Sequence, residues 1–137
     1  MIYETASPLL IPKLVEMAKA IPDLPIEELE KMLVGGIVSP SAKIFVEEKD
    51  HDIRGFLFST IEMFDGKDSC FIQVCAIKPI PEENQIGFEL LHRVKMWAKE
   101  NKLEYMYFIT KREHKGFERK YKFDYYGTVL RKKVEDK

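Results

Sequence analysis

Few side chains in this 137-residue chain have types and placement suited to chemistry. Glu62 stands near the end of a run of strand-forming residues. Its carboxylate could take up a proton directly or through water, or could be an ordinary charge at an exposed hairpin end. Tyr121 lies one helical turn beyond Glu118; its phenol could give up a proton, or its ring could simply pack in a core. Cys75 sits in an apolar run and is either a nucleophile or a small buried hydrophobe. His51 falls in an acidic turn, His92 beside the apolar stripe of a helix, and His114 four residues before Glu118, where a modest helix contact is expected. None has the companion ligands of a metal site.

The elements that must position these groups are marked by period and punctuation. Met1–Thr5 reads as a short edge strand. Leu10, Leu14, Met17 and Ile21 recur at helical spacing and predict a helix over residues 8–20. A second helix starts near Pro25, buries Ile26, Leu29 and Leu33, and ends at Gly35-Gly36. Strands are expected at Ala42–Glu48, Ile53–Met63 and Ser69–Lys78, with turns at Asp50–Asp52 and Asp65-Gly66. The third of these strands is nearly continuous in apolar residues and reads as central, covered on both faces. After Pro79 a helix runs to about Glu100, with Leu90, Leu91, Val94, Trp97 and Ala98 on its apolar stripe and Asn101 as its cap. Leu103–Ile109 reads as a strand, Glu113–Tyr121 as a short basic helix and Thr128–Val134 as a final strand. Hairpins followed by a strand-helix-strand unit predict a single α/β (α+β) domain spanning 1–137, its mixed, mostly antiparallel sheet flanked by helices on both faces.

Composition narrows the class. Hydrophobic residues make up 45% and charged residues 33%, as in a globular domain, and the net charge of −1 gives no global pull toward nucleic acid. Acidic residues crowd the first half, and Lys111, Arg112, Lys115, Arg119, Lys120 and Lys122 crowd the end among aromatics. A solvated helix face and a sheet packed under helices account for this better than a nucleic-acid surface does. Cys70 and Cys75 are spaced so that one straight strand would point them to opposite faces, about 17 Å apart, beyond disulfide reach. No stretch has the pattern of a signal peptide or a membrane span, so a reducing, cytoplasmic setting is expected.

The order of elements, with Val74-Cys75-Ala76-Ile77-Lys78-Pro79, Gly87, Leu90-Leu91, Trp97-Ala98, and Phe117, Lys120 and Phe123, resembles the GNAT superfamily of N-acetyltransferases. The resemblance implies an N-acyltransferase that takes acetyl-CoA as acyl donor and an amine, on a small molecule or a protein, as acceptor. It places the pantetheine arm on Cys75, Ala76 and Ile77. It places the pyrophosphate on the N–H groups of Asn84, Gln85, Ile86 and Gly87. Acetyl transfer then needs a group to deprotonate the amine and one to protonate the thiolate; Glu62 and Tyr121 are the candidates. The chain departs from the pattern at several positions. Glu82 and Gln85 replace a cation or amide and a glycine in the loop, Lys111 an asparagine, Glu118 a tyrosine, and Phe71 a carboxylate used by some members. These departures leave a second expectation, a catalytically degenerate module acting through a protein partner or as a homodimer.

Overall fold

The computed structural model describes residues 1–21, 24–109 and 115–134. Strand β1 (Ile2–Thr5) is followed by a 3-10 turn (Pro8–Leu10), helices α1 (Ile11–Ala18) and α2 (Ile26–Gly36), strands β2 (Ala42–Lys49), β3 (Asp52–Phe64) and β4 (Lys67–Ile77), helix α3 (Glu83–Glu100), strand β5 (Met106–Phe108) and helix α4 (Lys115–Tyr121). The strands form one sheet in the order β1-β2-β3-β4-β5; only the β4–β5 pair is parallel.

Local chemistry explains the turns. Asp50 and His51 have φ of 52° and 63°, and Asp65 and Gly66 have φ of 51° and 79°. Both pairs form tight links whose left-handed residues match the twist of antiparallel strands. The exit of α3 differs in detail from expectation. Asn101 caps the helix through Nδ2 donating to the Trp97 carbonyl at 2.9 Å, but Lys102 takes the left-handed position at φ 59°.

Helices cover both faces of the sheet. Leu14, Leu29 and Leu33 of α1 and α2 pack with Ile44, Val46, Phe56, Phe58 and Val74 on one face. Ile86, Leu90, Val94 and Trp97 of α3 pack with Phe45, Leu57, Cys70 and Ile72 on the other. The strand covered on both faces is β3, where Gly55 to Ser59 is continuously buried, rather than β4, whose burial alternates. The correction has a simple cause: β4 loses its outer neighbour halfway along.

Two further expectations change. The register of β3 and β4 jumps from Phe58↔Val74 to Ser59↔Ile72, leaving Gln73 as an extra residue. This bulge restores parity, so Cys70 and Cys75 both face α3 instead of opposite sides. Thr128–Val134 forms no strand; it is exposed, irregular chain, with Val129 and Leu130 open to solvent. A strand-like sequence gains its conformation from a neighbour, and these residues have none among the described residues.

Candidate functional site

Among the described residues the sheet opens between β4 and β5. β5 pairs with β4 only at Cys70↔Met106, Phe71↔Tyr107 and Ile72↔Phe108. The next residue of β4 is the bulged Gln73, and bulges bend the strand that carries them. From there to Ile77, β4 continues beside β3 alone among the described residues. Lys78 N–H donates to the Arg54 carbonyl at 2.8 Å. Two-residue alternation therefore turns the main chain of Ala76 to β3 and that of Cys75 and Ile77 to the open side.

Helix α3 begins across this opening. A tight link, in which Ile80 N–H donates to the Lys78 carbonyl and Glu83 N–H to the Ile80 carbonyl, delivers the helix directly from β4. Of the four amides singled out in the sequence, Ile86 N–H is spent on the Glu82 carbonyl at 2.9 Å, and Gly87 is far enough into the helix to join its ladder. The N–H groups of Asn84 and Gln85 find no acceptor among the described residues. Gln85 does not block them: its side chain is exposed and donates along the helix to Glu89 at 3.1 Å. Gly55, which the sequence reading passed over, sets how closely the helix sits. A Cβ there would be 3.1 Å from Ile86 Cγ2 and 3.3 Å from the Ala76 carbonyl oxygen. A lone glycine inside a strand pattern is the signal for such close approach.

Electrostatics at the helix start are mixed. Glu82 and Glu83 are exposed beside the two N–H groups. Arg54 faces them. Its guanidinium is held above its ordinary range first by its hydrogen bond to Glu47 and further by the charges of Glu82 and Glu89.

Tyr121 reaches the same corner from α4. Its hydroxyl lies where a Cβ on Gly87 would go, with Ile77 Cδ1 3.3 Å from that point, and its ring meets Phe88 edge-on at 5.1 Å. Burial first, and then electrostatic interaction with Cys75 and Glu83, pushes its pKa above the ordinary tyrosine value, so it stays protonated across the neutral range. Cys70, deeper in the α3 face, has its thiol pushed up to about 12 by burial and is inert.

Glu62 is not brought next to Tyr121. It is exposed near the end of β3, opposite Ser69, on the face that carries α1 and α2 farther along. The sheet opens at Ile72, which pairs with Ser59, so Glu62 stands about 10 Å along the strand from the opening. His51 and His92 are exposed. Lys111 and His114 lie outside the described residues, as does the side chain of Phe117. Phe71, at the position of a carboxylate in some GNAT proteins, instead stacks on Tyr107 with ring centroids 5.2 Å apart. No three His, Cys, Asp or Glu side chains converge among the described residues as a metal ion would require, and no helix among them is long and apolar enough to cross a membrane.

No family model matches the chain, and no curated protein does either. Solved structures match along nearly its whole length. An aminoglycoside 6'-N-acetyltransferase from Acinetobacter haemolyticus is 14% identical, with 98% of this chain and 99% of that one covered at a TM-score of 0.81. A predicted acetyltransferase from Clostridium acetobutylicum, solved with acetyl-CoA, is 17% identical, with 98% and 97% covered at 0.78. An aminoglycoside acetyltransferase from an uncultured soil metagenomic sample, solved with sisomicin, is 18% identical, with 100% and 96% covered at 0.71. At these identities the likeness establishes the architecture.

Proposed function

We propose that this chain, which has the GNAT fold, is an N-acyltransferase that moves an acyl group from acetyl-CoA to an amine. The observation that carries the reading is the opening between β4 and β5, with the N–H groups of Asn84 and Gln85 at its mouth and Tyr121 against Gly87 at its side. These groups suit the donor. Main chain on the open side of β4, at Cys75 and Ile77 on either side of Ala76, can pair with an extended amide, and the start of α3 attracts a pyrophosphate through its N–H groups and its dipole. Structural neighbours solved with acetyl-CoA or CoA support the same choice. Cys70 and Cys75 form no disulfide, in keeping with a reducing, cytoplasmic setting.

Acetyl-CoA would supply an acyl group already activated by its C–S bond. This chain's residues manage the protons. Main-chain N–H groups on the open side of β4 would polarise the carbonyl as the amine nitrogen adds to it. Glu62, at its distance from the opening, would take the amine proton through water. Tyr121, kept neutral by burial, would give its proton to the sulfur as the C–N bond forms and the C–S bond breaks, and would recover it from solvent. Acid and base then act from opposite faces of the sheet, which the gap between β4 and β5 permits. The products are an amide and free CoA thiol.

Isothermal titration with acetyl-CoA tests the premise. The expected result is saturable binding with one ligand per chain, followed by amine-dependent release of thiol. No heat at millimolar ligand would remove the enzymatic reading and leave the module acting through protein contacts to be pursued, by pull-down and a sizing column.

A further inference from the structure

We propose that the outer side of α3 carries a second binding site, separate from the opening of the sheet, which takes a small apolar monocarboxylate. A groove of about 360 Å³ lies there, lined by Ile2, Phe88, Glu89, His92 and Arg93. Small-molecule sites measure roughly 300–1,000 Å³, so the space suits a compact ligand. The helix repeat builds one wall. Phe88 stands one turn before His92 and Glu89 one turn before Arg93, so two neighbouring columns of side chains face the groove. The edge strand builds the other wall. The Met1 carbonyl accepts Glu48 N–H at 2.9 Å, so strand alternation turns the main chain of Ile2 away from β2, toward α3.

Arg93 selects the occupant. Glu89 precedes it by four residues, the order in which a helical ion pair is favoured, yet Arg93 turns elsewhere. Its Nη1 donates to the Ile2 carbonyl at 2.9 Å, and its guanidinium lies 5.7 Å from the ring centre of the buried Phe45. These contacts fix the guanidinium and leave its other N–H donors open to the groove. Among the described residues Arg93 has no carboxylate partner. A partly buried cation, held in place and lacking an anion, matches a carboxylate, which a guanidinium grips through a pair of parallel hydrogen bonds. His92, exposed on the same wall, adds a ring N–H. Glu89 does not reverse the preference. Its Oε1 already accepts from Gln85 Nε2 at 3.1 Å, and its charge acts on Arg54. The tail of the ligand follows from the remaining lining. Phe88 is 50% exposed, and Ile2 is partly so. An apolar chain laid on them leaves water, whereas a small polar anion gains nothing from them.

The full-length protein is titrated calorimetrically with hexanoate, 1-hexanol and acetate, and acetyl-CoA binding is measured separately. Hexanol keeps the chain and lacks the charge; acetate keeps the charge and lacks the chain. Hexanoate is expected to saturate at one per chain and to bind about tenfold tighter than either, the scale of one hydrogen bond to a charged group. Arg93→Gln should weaken hexanoate about tenfold, and glutamine retains a donor for the Ile2 carbonyl. Circular dichroism reports whether that variant is folded; if it is not, the three wild-type titrations decide alone. Hexanoate bound no better than hexanol or acetate overturns the inference, and so does a folded Arg93→Gln protein that binds it as the wild type does. Repeating the titration with saturating acetyl-CoA locates the carboxylate. Undiminished binding supports the groove, and displacement puts hexanoate in the opening of the sheet and refutes it. A failure of acetyl-CoA to bind counts against the acyltransferase reading alone, since the ligand series and Arg93→Gln judge this site without it.

Discussion

The Tyr121 hydroxyl occupies the space beside Gly87 that any larger residue would claim. The glycine is thus needed by a neighbour in space and not by its own backbone, which is ordinary helix. Gly87→Ala is expected to displace the phenol while leaving the helix intact, since alanine favours helix over glycine by about 1 kcal/mol. Acetyl-CoA turnover should fall roughly tenfold, in keeping with the sensitivity of proton transfer to position. Circular dichroism and steady-state rates on the same sample check it: an unfolded variant, or a fully active one, contradicts the account.

Tyr121→Phe keeps the ring on Phe88 and removes only the proton. Turnover should drop by about a hundredfold, the usual scale for losing a general acid. The pH profile carries the sign. An acid works while protonated, so the alkaline fall of wild-type activity comes as pH rises through the raised pKa of Tyr121, above the ordinary tyrosine value of 10.0. The variant should lose that alkaline limb and leave the acidic limb unchanged. An alkaline limb that survives the substitution assigns the proton to another group.

The same corner shows what a sequence conveys and what it withholds. The two hairpin turns were legible because their residues state their own backbone needs. So was α3, whose apolar stripe repeats over many turns. The opening was legible only by resemblance, because its cause is the Gln73 bulge, a matter of register between two strands that no single strand encodes. The expected strand at Leu103–Ile109 shrank to Met106–Phe108 for the same reason: pairing stops where β4 bends away. Gln85 looked obstructive in sequence, yet its side chain turns outward to Glu89. Side-chain direction at a helix start depends on the capping geometry, which composition does not reveal.

Stability should show a separate pH signature at Glu47. This side chain is buried and accepts hydrogen bonds from Arg54 Nε at 2.7 Å and Nη2 at 2.5 Å. The Arg54 hydrogen bond holds its carboxyl below the usual carboxylate value of 4.5, against the opposing effect of burial. A lowered folded-state pKa stabilises the fold above the unfolded-state value, and that stabilisation is lost as pH falls through the folded value. Glu47→Gln is expected to cost about 2 kcal/mol at pH 7, below the roughly 3–5 kcal/mol of a fully buried pair, because Arg54 keeps contact with solvent. The deficit relative to wild type should shrink below pH 4.5. Urea denaturation at pH 7 and pH 3.5 measures both quantities, and a deficit that does not change with pH rejects the assignment.

Glu82 gives the opposite kind of prediction, a gain. Its backbone is useful, since its carbonyl receives Ile86 N–H, but its exposed carboxylate stands beside the amides of Asn84 and Gln85 where a pyrophosphate would lie. At 4 Å in bulk water two unit charges interact by about 1 kcal/mol. Glu82→Gln keeps the backbone and removes the charge, so the affinity for CoA should rise roughly fivefold at low ionic strength. Arg54 would also lose one of the two carboxylates, Glu82 and Glu89, that draw on it beyond Glu47, which acts in the same direction. The gain should fade as salt is raised toward 1 M, where the Debye length shortens to about 3 Å. Calorimetric titrations at low and high salt separate this electrostatic origin from a change in structure: an improvement indifferent to salt, or none at all, places the pyrophosphate away from the start of α3.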